Sequence, residues 1–329
     1  MAIPPFLTHV GSRVLQGIPV LLGVSLLSFV LLKLAPGDYL DQLALDPSVG
    51  QAFLDQERAR LGLDQPWWQQ YFTWLGHVLR GDWGRSFSYR VPVITLVASR
   101  AGNTLLLALT AVTATWLLAV PLGIMAALGQ NTLWERGLRA ITYVGQAMPS
   151  FVLAIAMLFV AQSTSWFPVG GMTRADFADL DWGSRLWDLI HHLILPTVAL
   201  SLTSFAGLQR ITRGSFLDVL RQDYVLAAQA RGIPRWRQIV IHALRNAINP
   251  LVTILGFEFA SLLSGSFIAE FFFNWPGLGK LILEAVQSYD INVVMAGLML
   301  GTIMLMLGNA LADLALSFLD PRIASVRPR

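Results

Sequence analysis

The sequence predicts an all-α membrane protein with about six transmembrane helices and a large insertion after the first of them. Of its 329 residues, 55% are hydrophobic and 13% are charged, about half the charged fraction of a soluble globular domain. A helix needs about 20 consecutive apolar residues to cross a bilayer, and the chain supplies such windows repeatedly. They cover residues 14–32, 101–128, 140–162, 193–208, 250–271 and 291–312.

The distribution of basic residues predicts that both termini lie in the cytoplasm. In that orientation the inner segments carry thirteen basic residues, seven of them between 210 and 245, and the two short outer loops carry three. Basic residues concentrate on the cytoplasmic side of membrane proteins. The insertion at 33–100 has seven basic and seven acidic residues, and long segments translocate largely regardless of charge.

Several function classes are excluded because the sequence lacks the residues or motifs that they need. There is no cysteine, and the net charge of +3 is too small to indicate nucleic-acid binding. A P-loop needs Lys followed by Ser or Thr, whereas the two lysines, Lys33 and Lys280, both precede Leu. No HExxH or GxSxG pattern occurs, and the adjacent His191 and His192 are interpreted as interfacial residues. We therefore expect no catalytic residue, no metal site and no cofactor in this chain.

The segment between the fourth and fifth predicted spans reads as two short helices that meet at a bend. Ser215 with Asp218 three residues later predicts a helix start. Gly232 suits the left-handed position that ends a helix, and Pro234 suits the first turn of the next helix. The bend therefore lies on the arginine-rich side of the membrane.

The surface at this bend allows two interpretations. Small or polar side chains at Asp223, Ala227, Ala230 and Arg231 leave a low surface that another protein's groove could receive, with Tyr224 as an aromatic anchor. Alternatively, the helix is amphipathic and lies on lipid headgroups, as basic amphipathic helices commonly do. The residues alone do not decide between these two.

The fifth predicted span holds an acidic residue and a series of small ones. Glu258 is either a pathway-lining or proton-sensitive carboxylate or a neutralised side chain at a helix interface, since a free charge there is costly. Small residues allow helices to approach closely, either within this chain or against a second subunit. They are Gly256, Ala260, Ser261, Ser264 and Gly265. Two other acids, Glu270 and Asp313, are expected near the ends of spans.

Motifs along nearly the whole chain carry a resemblance to a known family. Ala227-Ala228-x-x-x-Gly232 followed by His242-Ala243-Leu244 resembles the cytoplasmic "EAA" loop of ABC importer permeases. The match is closest to the B-type permease of the dipeptide/oligopeptide/nickel branch. Further segments fit that branch in the same order: Leu34-Ala35-Pro36-Gly37-Asp38, Leu61-Gly62-Leu63-Asp64-Gln65-Pro66 with Tyr71 and Trp74, Gly81-Asp82-Trp83-Gly84-Arg85-Ser86, Trp275-Pro276-Gly277-Leu278-Gly279 and Asp320-Pro321-Arg322.

The resemblance implies the transmembrane domain of a type I ABC importer in the inner (plasma) membrane. It implies an N-terminal helix plus outer insertion at 1–100 and a five-helix core at 101–320, with the coupling loop at 211–249. The helix that docks on an ATPase would comprise Asp223, Tyr224, Ala227, Ala228, Ala230, Arg231 and Gly232. A seam with a second permease, lining the pathway, would include Glu258, Ser261, Ser264 and Gly265. The loop departs from the general consensus at Leu226, in place of an acid, and at Arg245, in place of Pro.

The function implied by the resemblance is one half of a peptide translocation pathway. The implied partners are a C-type permease, two ABC ATPases that bind the ATP, an extracytoplasmic solute-binding protein and the lipid bilayer. The same machinery in this branch also carries nickel chelates, glutathione or oligosaccharides. Two other hypotheses stay open: a stand-alone gradient-driven transporter, for which Glu258 would be the proton site, and an intramembrane enzyme, which the absence of a catalytic constellation disfavours.

Overall fold

The structure is a computed structural model that describes the backbone of residues 5–319. Side chains are described for residues 15–310 apart from 249, 252, 253 and 256. The predicted Asp320-Pro321-Arg322 motif therefore lies outside the described residues. So do the arginines at 327 and 329, the side chains of Arg13 and Asp313, and the surroundings of Gly256, all of which contributed to the predictions above.

The described chain consists of helices joined by turns and by two longer loops, at 80–92 and 165–181. In chain order they are α1 (Pro5–Leu34), α2 (Tyr39–Leu43), α3 (Gln51–Arg60), α4 (Trp67–Leu79), α5 (Val93–Leu128), α6 (Leu133–Ala147), α7 (Ser150–Thr164), α8 (Trp182–Leu220), α9 (Asp223–Ala230), α10 (Arg235–Arg237), α11 (Arg245–Phe272), α12 (Leu278–Gln287) and α13 (Ile291–Leu319). A 3₁₀ turn at Phe177–Asp179 precedes α8, and a π-helical segment at Gln238–Leu244 precedes α11.

Each predicted span falls on one of these helices or on a pair of them. Four helices of the described residues are long and apolar enough to cross a membrane, and the pair α6–α7 makes five if it forms one span. The first of these four spans begins in α1, and the other three lie within α5, α8 and α13. The predicted span at 250–271 lies within α11. This helix contains the four residues whose side chains are not described, and that it crosses the membrane remains a prediction.

The predicted span at 140–162 is wrong as a single continuous helix. The chain turns by 105° between α6 and α7. Met148 is extended, with φ −80° and ψ 127°, and Pro149 follows it. The proline ring clashes with a helical conformation of the residue before it, so the apolar composition continues while the helix does not.

The chain divides into two compact units, Met1–Thr104 with Pro276–Met306, and Leu105–Trp275 with Leu307–Arg329. In the first unit, the start of α5 packs against α12 and α13 through small and β-branched side chains. Their buried members are Val93, Val97, Ala101, Leu278, Leu281, Ala285, Val293, Val294 and Ala296. A second cluster joins α1 to α4, where Phe29 packs edge-on against Tyr71 and the hydroxyls of Ser25 and Tyr71 lie 2.9 Å apart.

Two predicted motifs of the first unit shape turns between its helices. Gly37 has φ +88°, which favours glycine, and Asp38 begins α2 with a capping box, since the side chains of Asp38 and Asp41 each accept a bond from the other's backbone N–H. At the start of α12, the backbone N–H of Leu278 donates to the Thr104 hydroxyl at 2.7 Å. The sequence motifs thus act as helix-start signals.

The Gly81–Ser86 motif packs against the joint between α12 and α13. The Ser86 hydroxyl donates to the fully buried Asp290 carboxylate at 2.6 Å, and the Asn292 amide donates to the Arg85 carbonyl at 3.0 Å. Nearby, Tyr89 donates to Glu284 at 2.8 Å. Burial raises the pKa of the Tyr89 phenol, and its bond to the Glu284 carboxylate raises that pKa further.

The second unit is built around α8 and α11, which pack against each other and against α7. Large side chains fill one end of this unit, where Trp275 and Phe273 are buried with Leu107, Leu193 and Leu195. Glu270 lies two residues before the end of α11 and is fully buried, and its interfacial position stays a prediction. The Ser266 hydroxyl, one turn earlier on α11, donates to its carboxylate at 3.1 Å, and such bonds lower the cost of burial.

Candidate functional site

The predicted coupling helix is present as α9, and its end is set by Gly232. The N–H of Gly232 bonds to the Gln229 carbonyl at 3.0 Å, and the N–H of Ile233 bonds to the Ala228 carbonyl at 3.2 Å. These two bonds are the pattern of a Schellman motif. Gly232 has φ +71°, and a Cβ added to it would meet no heavy atom within 4 Å. The glycine is therefore required for its backbone conformation and not for space.

Most of the predicted coupling residues form one exposed surface. Only Val225 and Ala228 of α9 are buried against the rest of the unit. Ala228 is therefore the one predicted residue that faces inward. The exposed members are Asp223, Tyr224, Ala227, Ala230, Arg231 and Gly232. Apart from Tyr224 and Arg231, these side chains are short, so the surface is low and accessible.

Tyr224 has a partner that the sequence pattern did not indicate. Its hydroxyl accepts a hydrogen bond from the Asn246 amide at 3.0 Å, and the same amide donates to the His242 carbonyl at 3.0 Å. Tyr224 is 42% exposed. One side of the ring is thus held by the start of α11, and the other side remains part of the α9 surface.

α9 packs against the end of α8 and against the π-helical segment. These two elements also belong to a buried cluster at the ends of three long helices. Phe216 of α8 and Ala247 of α11 are buried together with Ala127 of α5 and Ala243 of the π-helical segment. The predicted helix start at Ser215 is wrong, because α8 continues without a break to Leu220. The residues that suit a cap also suit the last turns of an existing helix, and Phe216 is fully buried there.

The predicted seam residues of α11 divide into two groups. Ser261 and Ser264 are exposed on the same face as Phe257, which is 73% exposed. Gly265 instead faces α8, where a Cβ would lie 3.6 Å from Leu200. Glu258 is half-buried, and its Oε1 is buried with no hydrogen-bond partner among the described residues. The exposed serines are therefore open to another chain, whereas Gly265 serves packing within this one.

A buried carboxylate that the sequence did not single out lies between α6 and α8. Glu135 is 1% exposed, and its Oε1 lies 3.1 Å from Nη2 of Arg213 and 3.6 Å from Nε of Arg139. A small cavity of about 70 Å³ adjoins the three side chains and Arg210. In the sequence, Glu135 marks only the end of an apolar window. Its burial could not be predicted, because it depends on how α6 packs on α8.

The two adjacent histidines have structural partners at the other end of the unit. The His191 ring lies 2.8 Å from the Trp166 carbonyl. The His192 ring lies 2.8 Å from the Asp188 carbonyl and is buried. Within the part of the chain that the structure describes, no three His, Asp or Glu side chains are grouped as metal ligands. His191 therefore links α8 to the loop after α7, whereas the His192 ring is held within α8.

The fold defines a class of protein. A chain of the MetNI methionine ABC transporter, in two inward-facing crystal forms, matches it with TM-scores of 0.56 and 0.57 at 16% identity. The match covers 70% of this chain and 98% of the other. The fold is therefore that of the transmembrane domain of a type I ABC importer.

The chain belongs to the family of binding-protein-dependent transport system inner membrane components. The family's sequence model matches residues 119–325, and a second model, for the N-terminal region of the same membrane components, matches residues 6–108. It is a family of membrane transport components that work with a solute-binding protein, and it is not an enzyme family. The chain is accordingly a multi-pass inner-membrane protein.

Several relatives are similar over almost their full length. The oligopeptide transport system permease protein AppB of Bacillus subtilis is 38% identical over 317 residues, which is 96% of this chain and 98% of that protein. The dipeptide transport system permease protein DppB of Escherichia coli K12 is 34% identical over 325 residues, covering 93% and 95%. A di/tripeptide permease of Pseudomonas aeruginosa is 34% identical.

Proposed function

We propose that this chain is a permease subunit of an ATP-driven importer of peptides. It would form half of the translocation pathway and receive its energy from a separate ATPase subunit. The relatives named for oligopeptide, dipeptide and di/tripeptide transport support peptides as the solute. The same machinery carrying nickel chelates, glutathione or oligosaccharides is the alternative that uptake experiments would distinguish.

The observation that carries the proposal is the exposed surface of α9 in a chain that has no P-loop. A permease that cannot bind ATP in a P-loop needs a surface on which an ATPase can act. The short, well-terminated α9 offers six of the seven predicted coupling residues to solvent. Its small side chains suit insertion into a groove, which is a common mode of helix recognition.

The proposed orientation puts α9 in the cytoplasm together with both termini. In support, the segment at 210–245 holds seven arginines, and basic residues favour the cytoplasmic side. The insertion between α1 and α5 would then lie outside, where the solute-binding protein docks. The division into residues 1–100 and a core at 101–320 is part of this proposal, and the two family matches, at 6–108 and 119–325, support it.

The proposed partners are a C-type permease, two ABC ATPases and an extracytoplasmic solute-binding protein. The exposed face of α11 with Ser261 and Ser264 is the proposed seam with the second permease, because small residues let helices approach closely. Glu258 lies three residues before Ser261, so it would sit beside that seam. A polar group inside a membrane is costly and is usually functional.

The proposed mechanism is alternating access driven through α9. ATP binding closes the ATPase pair, α9 moves with the ATPase, and the buried contacts of Val225 and Ala228 pass that motion to the long helices. Because α9 packs against α8 and the π-helical segment, which are buried together with the ends of α5 and α11, a rigid displacement of α9 would bias the bundle between two states. In this mechanism the ATPase pair acts as the ligand of α9. It shifts the equilibrium between the two states of the bundle because it makes different contacts in each of them.

Reconstitution tests the proposal directly. Liposomes would contain this chain with its second permease and ATPases, with the binding protein added outside. We expect ATP-dependent accumulation of a labelled dipeptide, and none when the ATPases are omitted. Uptake of nickel chelates, glutathione or an oligosaccharide in place of peptides would change the substrate but keep the mechanism. Uptake by this chain alone would contradict the proposal.

A stand-alone, gradient-driven transporter is the second candidate, and the unpaired Oε1 of Glu258 is the observation that favours it. In that case Glu258 would exchange protons during transport. The discriminating variant is Glu258→Gln, which keeps the shape of the side chain and removes its ability to ionise. Transport that needs no ATPase and is lost in this variant would support the second candidate over the first.

A further inference from the structure

The first unit contains a cavity that the proposed function does not use. It has a volume of about 500 Å³, within the usual range of about 300–1,000 Å³ for small-molecule sites. It lies between the last turn of α1, the amphipathic α4 and the loop before α5. Its lining includes Lys33, Gln69, Trp74 and Trp83. Two indole rings, an amide and an ammonium group thus share one cavity.

Lys33 is the cation in this cavity whose contacts are an aromatic ring and a more distant carboxylate, that of Asp38. Its half-buried ammonium lies 5.8 Å from the Phe29 ring centroid, and it makes no hydrogen bond or ion pair among the described side chains. The nearby Asp38 carboxylate caps α2 and lies 3.7 Å from Arg58. Partial burial makes an incompletely compensated cation costly, so an anionic group beside Lys33 would be stabilised.

The other ionic groups of the cavity have partners nearby. Arg60 donates to Glu57 at 2.6 Å, and the His77 ring lies 3.4 Å from the Asp82 carboxylate. The Asp82 carboxylate also accepts from the Gly84 N–H at 2.9 Å, so Lys33 is the cation of the lining that has no hydrogen bond or ion pair among the described residues. An anionic oxygen group such as a phosphate would complement it.

The position of Lys33 indicates that the anion is attached to an acyl chain. Leu22, Leu26 and Lys33 recur at helical spacing on one face of α1, and both leucines are exposed, at 45% and 41%. The eleven-residue separation of Leu22 and Lys33 corresponds to about 16 Å along a helix, close to half of a bilayer core of about 30 Å. An apolar track thus leads from the membrane to the cavity.

The exposed face of α4 places the cavity at the membrane surface. Trp67 and Trp68 are each 51% exposed, and Phe72 is 65% exposed. Aromatic side chains are enriched where the hydrocarbon core meets the headgroups. These three side chains lie on the same helix as the lining residue Trp74, and they are our reason for placing the cavity mouth at the depth of lipid phosphates.

We propose that this cavity binds the headgroup of a phospholipid. Its phosphate pairs with Lys33, the headgroup lies between Trp74 and Trp83, and an acyl chain follows Leu26 and Leu22. A free phosphate ion shares the charge but lacks the apolar track. The carboxylate of a peptide also shares the charge, and it is treated below as a competing outcome.

The presence of only two lysines allows a direct test by amine labelling. The purified full-length chain in neutral detergent is treated with an amine-reactive reagent, and the labelling rates of Lys33 and Lys280 are read by mass spectrometry. Lys280 is the internal control because it pairs with Glu284 at 3.4 Å. At phosphatidylglycerol concentrations about ten times the Kd, we expect about tenfold protection of Lys33 by mass action, with Lys280 unchanged.

Three further additives decide which ligand is bound. Equal protection by diacylglycerol, which lacks the phosphate, would overturn the role of charge. Equal protection by glycerol phosphate would overturn the role of the acyl chain, and protection only by a dipeptide would assign the cavity to a peptide. Equal protection of Lys33 and Lys280 by the lipid would show that the effect is not specific to the cavity.

Variants provide an independent measurement by native mass spectrometry of retained phospholipids. Lys33→Gln should release one phospholipid that the unaltered chain retains, whereas Lys33→Arg and the matched Lys280→Gln should retain it. Thermal unfolding in detergent shows whether each variant remains folded. An unchanged number of retained lipids in folded Lys33→Gln would overturn the proposal.

Discussion

The hydroxyl of Ser86 donates a 2.6 Å hydrogen bond to the carboxylate of Asp290, a residue 204 positions later in the chain. Asp290 is fully buried and also begins α13, since its other carboxylate oxygen accepts from the Val293 N–H at 3.3 Å. The backbone N–H of Ser88 adds a third bond at 3.1 Å. One carboxylate thus holds the end of the insertion against the start of the last long helix.

The first prediction concerns this bond. Ser86→Ala removes the hydroxyl donor and leaves a buried carboxylate less satisfied, so we expect a loss of about 1.5–3 kcal/mol, measured as a lower unfolding temperature in detergent. Ser88→Ala is the matched control, because Ser88 contacts Asp290 through its backbone N–H, which the change retains. An equal effect of both changes would contradict the assigned role of the Ser86 hydroxyl.

The second prediction concerns the ionic cluster between α6 and α8. Removing one partner of a buried ion pair costs about 3–5 kcal/mol, while replacing the pair by apolar residues is often neutral. We therefore expect Arg213→Met alone to destabilise the chain strongly, and Arg213→Met with Glu135→Leu to recover much of the loss. Denaturant titration of the two single variants and the double variant gives their coupling energy. Additive losses would show that the two side chains act independently.

A third prediction follows from the packing of α5 on α8. A Cβ added at Gly123 would lie 2.7 Å from the Thr212 Cβ and 2.9 Å from the Gln209 carbonyl oxygen. Because backbone cannot move aside cheaply, Gly123→Ala should destabilise the chain by about 1–3 kcal/mol. Gly102→Ala, on the same helix, is the control, since its Cβ would meet nothing within 4 Å. A thermal shift that is the same for both changes would argue against this close approach.

The fourth prediction concerns the end of α9. Gly232→Val forces a β-branched residue to a φ near +71°, which costs about 1–2 kcal/mol or more for an L-residue. A change of that size shifts an equilibrium by about 5- to 30-fold, so ATP hydrolysis coupled to transport should fall by a comparable factor while membrane insertion is unchanged. Gly232→Asn is the control, because asparagine tolerates the left-handed region. Unchanged coupled hydrolysis in Gly232→Val would count against the coupling role.

Features that depend on composition and local backbone chemistry could be predicted from the sequence. A charged fraction of 13% and repeated apolar windows predict an all-helical membrane protein, since few residues are left to face water. The conformation of Gly232 was also predictable, because a glycine after a helical run followed by a proline indicates a left-handed helix end. Both signals are written in neighbouring residues.

Features that depend on tertiary packing could not be predicted. The sequence places Glu270 near the end of a span, but it does not indicate that Glu270 is fully buried with the Ser266 hydroxyl as one of its partners. Ser215 has the local pattern of a helix start, but α8 runs through it because Phe216 is buried against neighbouring helices. Within the predicted seam, Gly265 faces α8 and Ser261 does not, a difference that only the rotation of α11 determines.

The break between α6 and α7 lies between these two cases. The local signal was present in the sequence, because Met148 precedes Pro149. In the structure Met148 is indeed extended. It was outweighed in the prediction by the continuous apolar composition of 140–162, which satisfies the length of a span. Prolines occur inside α1, α5, α8 and α11 without ending those helices, so a proline alone does not predict a break.

The central claim is that an ATPase subunit docks on the exposed surface of α9. Because the chain has no cysteine, a single introduced cysteine can be labelled without background. Two such variants can be compared: Ala227→Cys at an exposed position of α9 and Ala228→Cys at a buried one. The direct measurement is the maleimide labelling rate of Ala227→Cys in detergent, with and without the ATPase subunits. We predict strong protection on assembly, with a distant single-cysteine control at Ser165→Cys unaffected. An Ala227→Cys labelling rate that does not change when the complex forms would contradict the claim.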